Sequence, residues 1–210
     1  MKVTVIGAGN MGAAFVKQLS RAGHQVSVTA RDPAKAQAVA AANAGATAVA
    51  SANAAAGADV VILATGYGDA VAALNSVGDL TGKVVIDITN PLTADYMGLT
   101  LGHSTSAGEE IAKAVPGAEV VKAFNTVFAQ VLADGPDFGK GQTVSVYIAS
   151  DSERAKQSAT ALAQSIGYAT VDAGGLKNAR YLEPLAGFNI YLGYGAGLGT
   201  SIAPNWIKRA

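Results

Sequence analysis

Over the first 124 residues, short β-branched runs alternate with longer stretches whose apolar positions recur every three or four residues. The runs KVTVIGAG (2–9), QVSVTA (25–30), TAVA (47–50), DVVILAT (59–65), KVVIDIT (83–89) and AEVVKAF (118–124) each predict a strand. Between the first two, Met11, Ala14, Phe15, Leu19 and Ala22 share a helical face, and Gly23 marks its end. Further helices are expected over 33–44, 52–58 and about 69–77. The Ser-x-x-Glu pattern at Ser106 is that of a capping box and starts a helix over 106–115. Residues 90–105 have no period and read as a long loop. The strand runs are apolar at successive positions, which requires burial on both faces. A parallel sheet covered by helices on both sides meets that requirement.

After Phe124 the texture changes. Residues 125–142 are mixed, with a Gly/Pro-rich turn at 135–141. A strand is expected over 143–150, an amphipathic helix capped by Asp151 over 151–167, a strand over 168–174, and an apolar helix containing Pro184 over 178–197. The expected fold is α/β, a Rossmann-type, doubly wound, mainly parallel sheet with a small C-terminal α/β extension. The chain reads as one domain, 1–210, with its core in 1–124 and the extension in 125–210.

Composition narrows the function. Fifteen basic residues balance fifteen acidic ones, and no Lys/Arg stripe offers a footprint for nucleic acid or an anionic membrane. With no cysteine, thiolate nucleophiles, disulfides and Cys-based metal sites are excluded. His24 and His103 lack metal-ligand spacing, so no metal is expected. There is no unpunctuated apolar stretch of about 18 residues, and MKVTVIGAG runs straight into a motif without a leader pattern. A cytoplasmic protein is the expectation.

The motif is GAGNMG, with Gly7, Gly9 and Gly12 as G-x-G-x-x-G between a predicted strand and a predicted helix. In that context Gly7 permits the tight turn, Gly9 lets backbone approach a pyrophosphate, and Gly12 lets the helix pack closely on the sheet. The helix N-terminus offers free N–H groups to the phosphates. The residue that meets the adenosine ribose lies at the end of the second strand, about 20 residues on. Both Arg31 and Asp32 lie there. Asp32 precedes Pro33 and a helix-forming run, a favoured N-cap followed by Pro at the first helical position. That leaves Arg31, with Lys35 one turn away, to face a 2′-phosphate, so NADP(H) is preferred over NAD(H). The other reading of Arg31 is that it stacks on adenine without choosing between cofactors.

Ligands of such sheets bind at the carboxyl ends of the strands. The loops there are ATGYGD (64–69), TNPL (89–92) and FNTVF (124–128). Ala64, Thr65, Tyr67, Asn90 and Asn125 are candidate neighbours of a nicotinamide, and Gly66 and Gly68 let their loop come close. These loops carry no Ser/His/Asp set, no paired carboxylates and no general base, so no catalytic side chain is assigned. A carbonyl reductase would need a proton donor. Hydride transfer between two redox cofactors needs less from the protein.

GAGNMG, DITNPL, SAGEEIAKAVPGAEVVKAFNT and DAGGLKNARYLEPLA resemble the coenzyme F420-dependent NADP oxidoreductase family. They are also similar to the NADPH-binding domain of flavin-linked metalloreductases. The resemblance covers nearly the whole chain. It implies a Rossmann domain that commonly dimerises, with NADP(H) along the sheet edge and F420, or FMN or FAD, packed on the nicotinamide. By position it implies a pyrophosphate turn of Ala8, Gly9, Asn10 and Met11, a 2′-phosphate clamp of Ala30, Arg31 and Lys35, and Thr65 near the nicotinamide. F420-using members carry a histidine where this chain has Asn125, which leaves the acceptor open between F420 and flavin. Two other readings share parts of the pattern. One is a short hydroxyacid or imino-acid reductase, which would need a large all-helical second domain. The other is an NADP(H)-binding sensor without turnover.

Overall fold

The computed structural model describes residues 1–207 and residue 209. Six parallel strands form the main sheet: β1 (Lys2–Ile6), β2 (Gln25–Thr29), β3 (Ala46–Ala48), β4 (Val60–Leu63), β5 (Val84–Asp87) and β6 (Glu119–Lys122). Their order is β3-β2-β1-β4-β5-β6, the doubly wound order expected from the alternation. The connecting helices are α1 (Asn10–Arg21), α2 (Pro33–Ala41), α3 (Ala70–Asn75) and α4 (Ala107–Ala114).

The continuous apolar runs have their predicted cause. Every residue of β4 and β5 is buried. Along the strands, alternate side chains enter two cores on opposite faces of the sheet. Val5, Ile62 and Ile86 pack with Phe15 and Leu19 of α1. Ile6, Val61, Leu63 and Val85 pack with Leu74 of α3 and Ile111 of α4. Truncating one such side chain, as in Ile62→Ala, costs ~2–5 kcal/mol.

The extension holds α5 (Ala129–Asp134), β7 (Ser145–Ile148), α6 (Glu153–Ser165), β8 (Ala169–Asp172) and α7 (Ala179–Ile190). β7 and β8 pair in parallel as a separate ribbon. A single antiparallel bridge joins it to the main sheet, with Lys122 N donating to Ala149 O and Ala149 N to Lys122 O, at 2.9 and 3.0 Å.

Three local expectations need correction. Residues 52–58 do not form a helix. The segment is a series of turns, because Asn53 (φ 68°) and Gly57 (φ 76°) adopt left-handed backbone that a helix cannot contain. The cap of α6 is Ser152, whose Oγ accepts from Ala155 N at 3.1 Å, and not Asp151. Asp151 instead accepts from Leu176 N at 3.0 Å. The mixed segment after Phe124 contains α5, which has no side-chain cap and leans on α1. Lys17 and Gln18 of α1 donate to Leu132 and Ala133 carbonyls at its C-terminal end.

Helix α7 runs through Pro184 and continues as a π-helical turn over Tyr191–Gly195. Tertiary contacts offset the proline: Glu183, beside it, is tied to α4, and Asn189 Nδ2 donates to Thr126 O at 3.1 Å.

Candidate functional site

The chain order reverses between β1 and β4, and the crevice at their carboxyl ends opens there. The glycine turn lies in it. Gly7 has φ 115°, and a Cβ on it would fall 2.3 Å from Ala64 O on β4's exit. A Cβ on Gly12 would fall 1.9 Å from Gly7 O. These two glycines are therefore required by the fold itself. Gly9 differs: a Cβ there meets nothing within 4 Å and would project into open space. The N-cap of α1 is Gly9, which has no side chain with which to cap the first N–H groups. An open approach to an uncapped helix start suits a pyrophosphate.

At the end of β2 the two neighbouring residues divide as their sequence context suggests. Asp32 Oδ1 accepts from Ala34 N at 3.0 Å and caps α2, with Pro33 as its first residue. Such a cap is worth ~1 kcal/mol. Arg31 is left with a side chain 91% exposed. Its guanidinium lies 3.6 Å from Asp69 Oδ1, on the far wall of the crevice.

The crevice encloses about 860 Å³. It is lined by Gly7, Ala8, Gly9 and Asn10 of the turn, Ala30, Arg31 and Lys35 at the β2 end, and Ala64, Thr65 and Gly66 at the β4 end. Ser51, Asp69 and Ser76, not singled out in the sequence, line it too. Gly12 and Tyr67 are outside it. Gly12 works through packing. Tyr67 is half-buried against the core that contains Leu63 and Ile111. Burial, then the charges of Glu110, Glu183 and Asp87, push its phenol up, so it stays protonated.

A second cavity of about 220 Å³ lies next along the sheet. Met11 lines it, directly after Asn10 of the crevice. Asn90 at the β5 exit and Asn125 at the β6 exit line it as well, with Ile88, Leu92, Phe124, Phe128, Asn189 and Tyr194 among the rest. None of its lining residues is charged. The two asparagines lock each other: Asn90 Nδ2 donates to Asn125 O at 2.8 Å, and Asn125 Nδ2 donates to Asn90 Oδ1 at 3.0 Å. Asn125 Nδ2 also donates to Leu182 O of α7, at 2.9 Å. Phe124, before it, is held at φ 60° while almost fully buried, edge-on to Phe15 and Tyr168. Left-handed backbone at a bulky residue is strained and persists where surrounding packing fixes it. Here it turns the chain out of β6 so that Asn125 meets Asn90.

Sequence reasoning missed the group beneath these loops. Lys122 is fully buried, with Nζ 2.6 Å from Asp87 Oδ2 and 2.8 Å from Glu183 Oε1. The same Nζ donates to Thr89 O at 2.8 Å. Glu183 accepts in turn from Ala107 N and Gly108 N, the first N–H groups of α4, at 2.9 and 3.0 Å. One ammonium thus ties β5, β6, α4 and α7 together below Asn90 and Asn125. The signal was available in DITNPL, KAFNT and YLEPLA, where a charge interrupts an apolar run. Partnered burial is the condition under which a charge stays in a core.

The family model for NADP oxidoreductase, coenzyme F420-dependent, matches residues 2–91. The F420-dependent NADP reductase of Methanothermobacter marburgensis is 32% identical over 204 residues, 88% of this chain and 89% of that protein. The chain belongs to the F420-dependent NADP oxidoreductase family. A crystal structure from Arthrobacter sp. FB24, provisionally assigned as an F420-dependent NADP reductase, is 31% identical. The match covers 95% of this chain and 96% of that one, with a TM-score of 0.86. Metalloreductase STEAP3 of Rattus norvegicus is 30% identical over 88% of this chain, which spans only 36% of that protein. The relatives matched over most of their length are named F420-dependent NADP reductases.

The site fits the cofactor the family name implies. Gly9 leaves open space before an uncapped helix start, and Arg31 and Lys35 offer positive charge at the opposite end from Asn90 and Asn125. Among the described residues, no helix is long and apolar enough to cross a membrane.

Proposed function

We infer that the protein exchanges a hydride between NADPH and a deazaflavin or flavin lying beside the nicotinamide. The observation that carries this is a pair of cavities lined by consecutive residues of the glycine turn, Asn10 in the larger and Met11 in the smaller. The larger one has its cations at the adenosine end. The smaller one is uncharged, apolar and bordered by amides.

When bound, NADPH would supply a hydride to the acceptor's central ring, with the accompanying proton coming from water. The chain's own residues bind and orient. Ala8, Gly9, Asn10 and Met11 take the pyrophosphate, and Ala30, Arg31 and Lys35 take the 2′-phosphate. Ala64, Thr65 and Gly66 border the nicotinamide half. Asn90 and Asn125 fix the wall against which the acceptor packs, and Phe128, Ile190 and Tyr194 exclude water.

On this reading the core, 1–124, holds the dinucleotide and the extension, 125–210, covers the acceptor. F420 is the first acceptor, because the F420-dependent relatives match over nearly their full length. FMN or FAD is the second, left open by Asn125 where the family resemblance implies a histidine in F420-using members. Tyr181, Phe188, Tyr191 and Tyr194 expose a large aromatic surface on α7 and its π turn, which supports a homodimer.

Anaerobic mixing with NADPH tests the reading, with F420 in one cuvette and FMN in another. Rapid loss of the long-wavelength F420 absorbance is expected. Reduction of FMN alone would move the acceptor to flavin. Tight NADPH binding with neither acceptor reduced would overturn the proposal.

A further inference from the structure

Asp69 ends a short 3-10 turn (Tyr67–Asp69) that runs directly into α3, and its side chain caps no N–H group. Its carboxylate reaches across the crevice, 3.6 Å from the Arg31 guanidinium. Asp32, next to Arg31, spends its own carboxylate on capping α2. The two walls of the cleft are thereby joined by one exposed ion pair.

We propose that Asp69 is a specificity-determining residue that competes with the cofactor's 2′-phosphate for Arg31. The inference rests on the assignment of Arg31 to that phosphate. A phosphate dianion entering the mouth must take the guanidinium from Asp69. NADP(H) therefore binds more weakly than Arg31 and Lys35 alone would allow, and leaves more readily after hydride transfer. A dinucleotide without the 2′-phosphate has no claim on Arg31 and does not feel the competition.

The test is equilibrium binding of NADPH and NADH to the whole chain, measured for wild type, Asp69→Asn, Arg31→Ala and the double variant. Asp69→Asn keeps the shape and removes the charge. NADPH should bind about two- to fivefold tighter, the range of an exposed ion pair, and the gain should shrink with added salt. NADH should bind as it does to wild type, which also reports an intact fold. In the Arg31→Ala background the Asp69→Asn gain should disappear. Unchanged or weaker NADPH binding to Asp69→Asn would overturn the proposal, as would equal tightening of NADH or a gain that persists without Arg31. Wild type that does not prefer NADPH over NADH would instead overturn the assignment of Arg31, and this inference with it.

Discussion

Lys122 Nζ lies 2.6 Å from Asp87 Oδ2, and both side chains are completely buried. With Glu183 on its other side, the ammonium stands between two carboxylates contributed by β5 and α7. Removing the lysine leaves both carboxylates without their cation in a dry interior. Lys122→Met is expected to cost ~3–5 kcal/mol. Lys156→Ala, which breaks pairs with the exposed Glu153 and Asp172 carboxylates, should cost ~1 kcal/mol or less. Urea denaturation of the two variants measures the contrast. Equal midpoints would mean that the buried cluster is not the fastening between core and extension.

The glycines of the turn should separate into two classes. Gly12→Ala places a Cβ 1.9 Å from Gly7 O and must shift α1 against the sheet, so its melting temperature should fall. Gly9→Ala meets no protein atom, so its stability should stay within ~0.5 kcal/mol of wild type while NADPH affinity collapses. Paired thermal melts and binding titrations check this. A Gly9→Ala protein that binds NADPH normally would remove the pyrophosphate from that turn.

Arg31→Ala should weaken NADPH binding about tenfold or more, the scale of one or two charge-assisted hydrogen bonds at an exposed position. NADH binding should change little. Lys35→Ala should act in the same direction and less strongly, since ammonium lacks the guanidinium's two-pronged fit to phosphate. Titration by nicotinamide fluorescence distinguishes the two cofactors. Equal losses for NADPH and NADH would assign Arg31 to adenine.

Acid should loosen the join between α4 and α7. The Arg180 guanidinium, 2.7 and 2.8 Å from the Glu109 carboxylate, holds that carboxyl below its usual range, and the Ser106 hydroxyl adds to the effect. Folded protein thus binds this proton less readily than unfolded chain. The stabilisation is complete above the unfolded carboxyl value of ~4.3 and is lost as pH falls through the lower folded value. Glu119, held down by Arg154 and Ser152, contributes in the same direction. Glu109→Gln should cost ~1 kcal/mol at neutral pH and flatten part of the acid limb. Denaturation curves between pH 3 and 7 would show it. An unchanged acid limb would locate the sensitivity elsewhere (pH range set by ordinary carboxylate values, ~4).

What the sequence disclosed was mostly local. The glycine spacing, the Asp32–Pro33 helix start and the Ser106 cap each depend on residues within a few positions, and the structure has all three. Ser106 is capped with a difference: its hydroxyl donates to Glu109 Oε2 at 2.7 Å as well as accepting from Glu109 N. Helix α5 was hidden because six residues without a cap carry little signal of their own. It is held by Lys17 and Gln18, more than 110 residues away. The Asn90–Asn125 lock and the Lys122 cluster were hidden for the same reason, since their members come from separate strands and from α7. Tyr67, a polar residue on a strand-end loop, packs its ring against the core on the α3 side, a contact with residues distant in sequence.

On the proposed function, hydride passes directly between cofactors bound in the two cavities. The measurement that tests it most directly uses NADPH deuterated at C4 and F420, mixed anaerobically with the protein, followed by mass spectrometry of the reduced deazaflavin. Its C5 is carbon and does not exchange the label with water. Stereospecific transfer predicts one deuterium per reduced F420 from one labelled epimer of NADPH and none from the other. Reduced F420 without deuterium from either epimer would contradict the claim, as would the absence of reduction by a protein that binds NADPH.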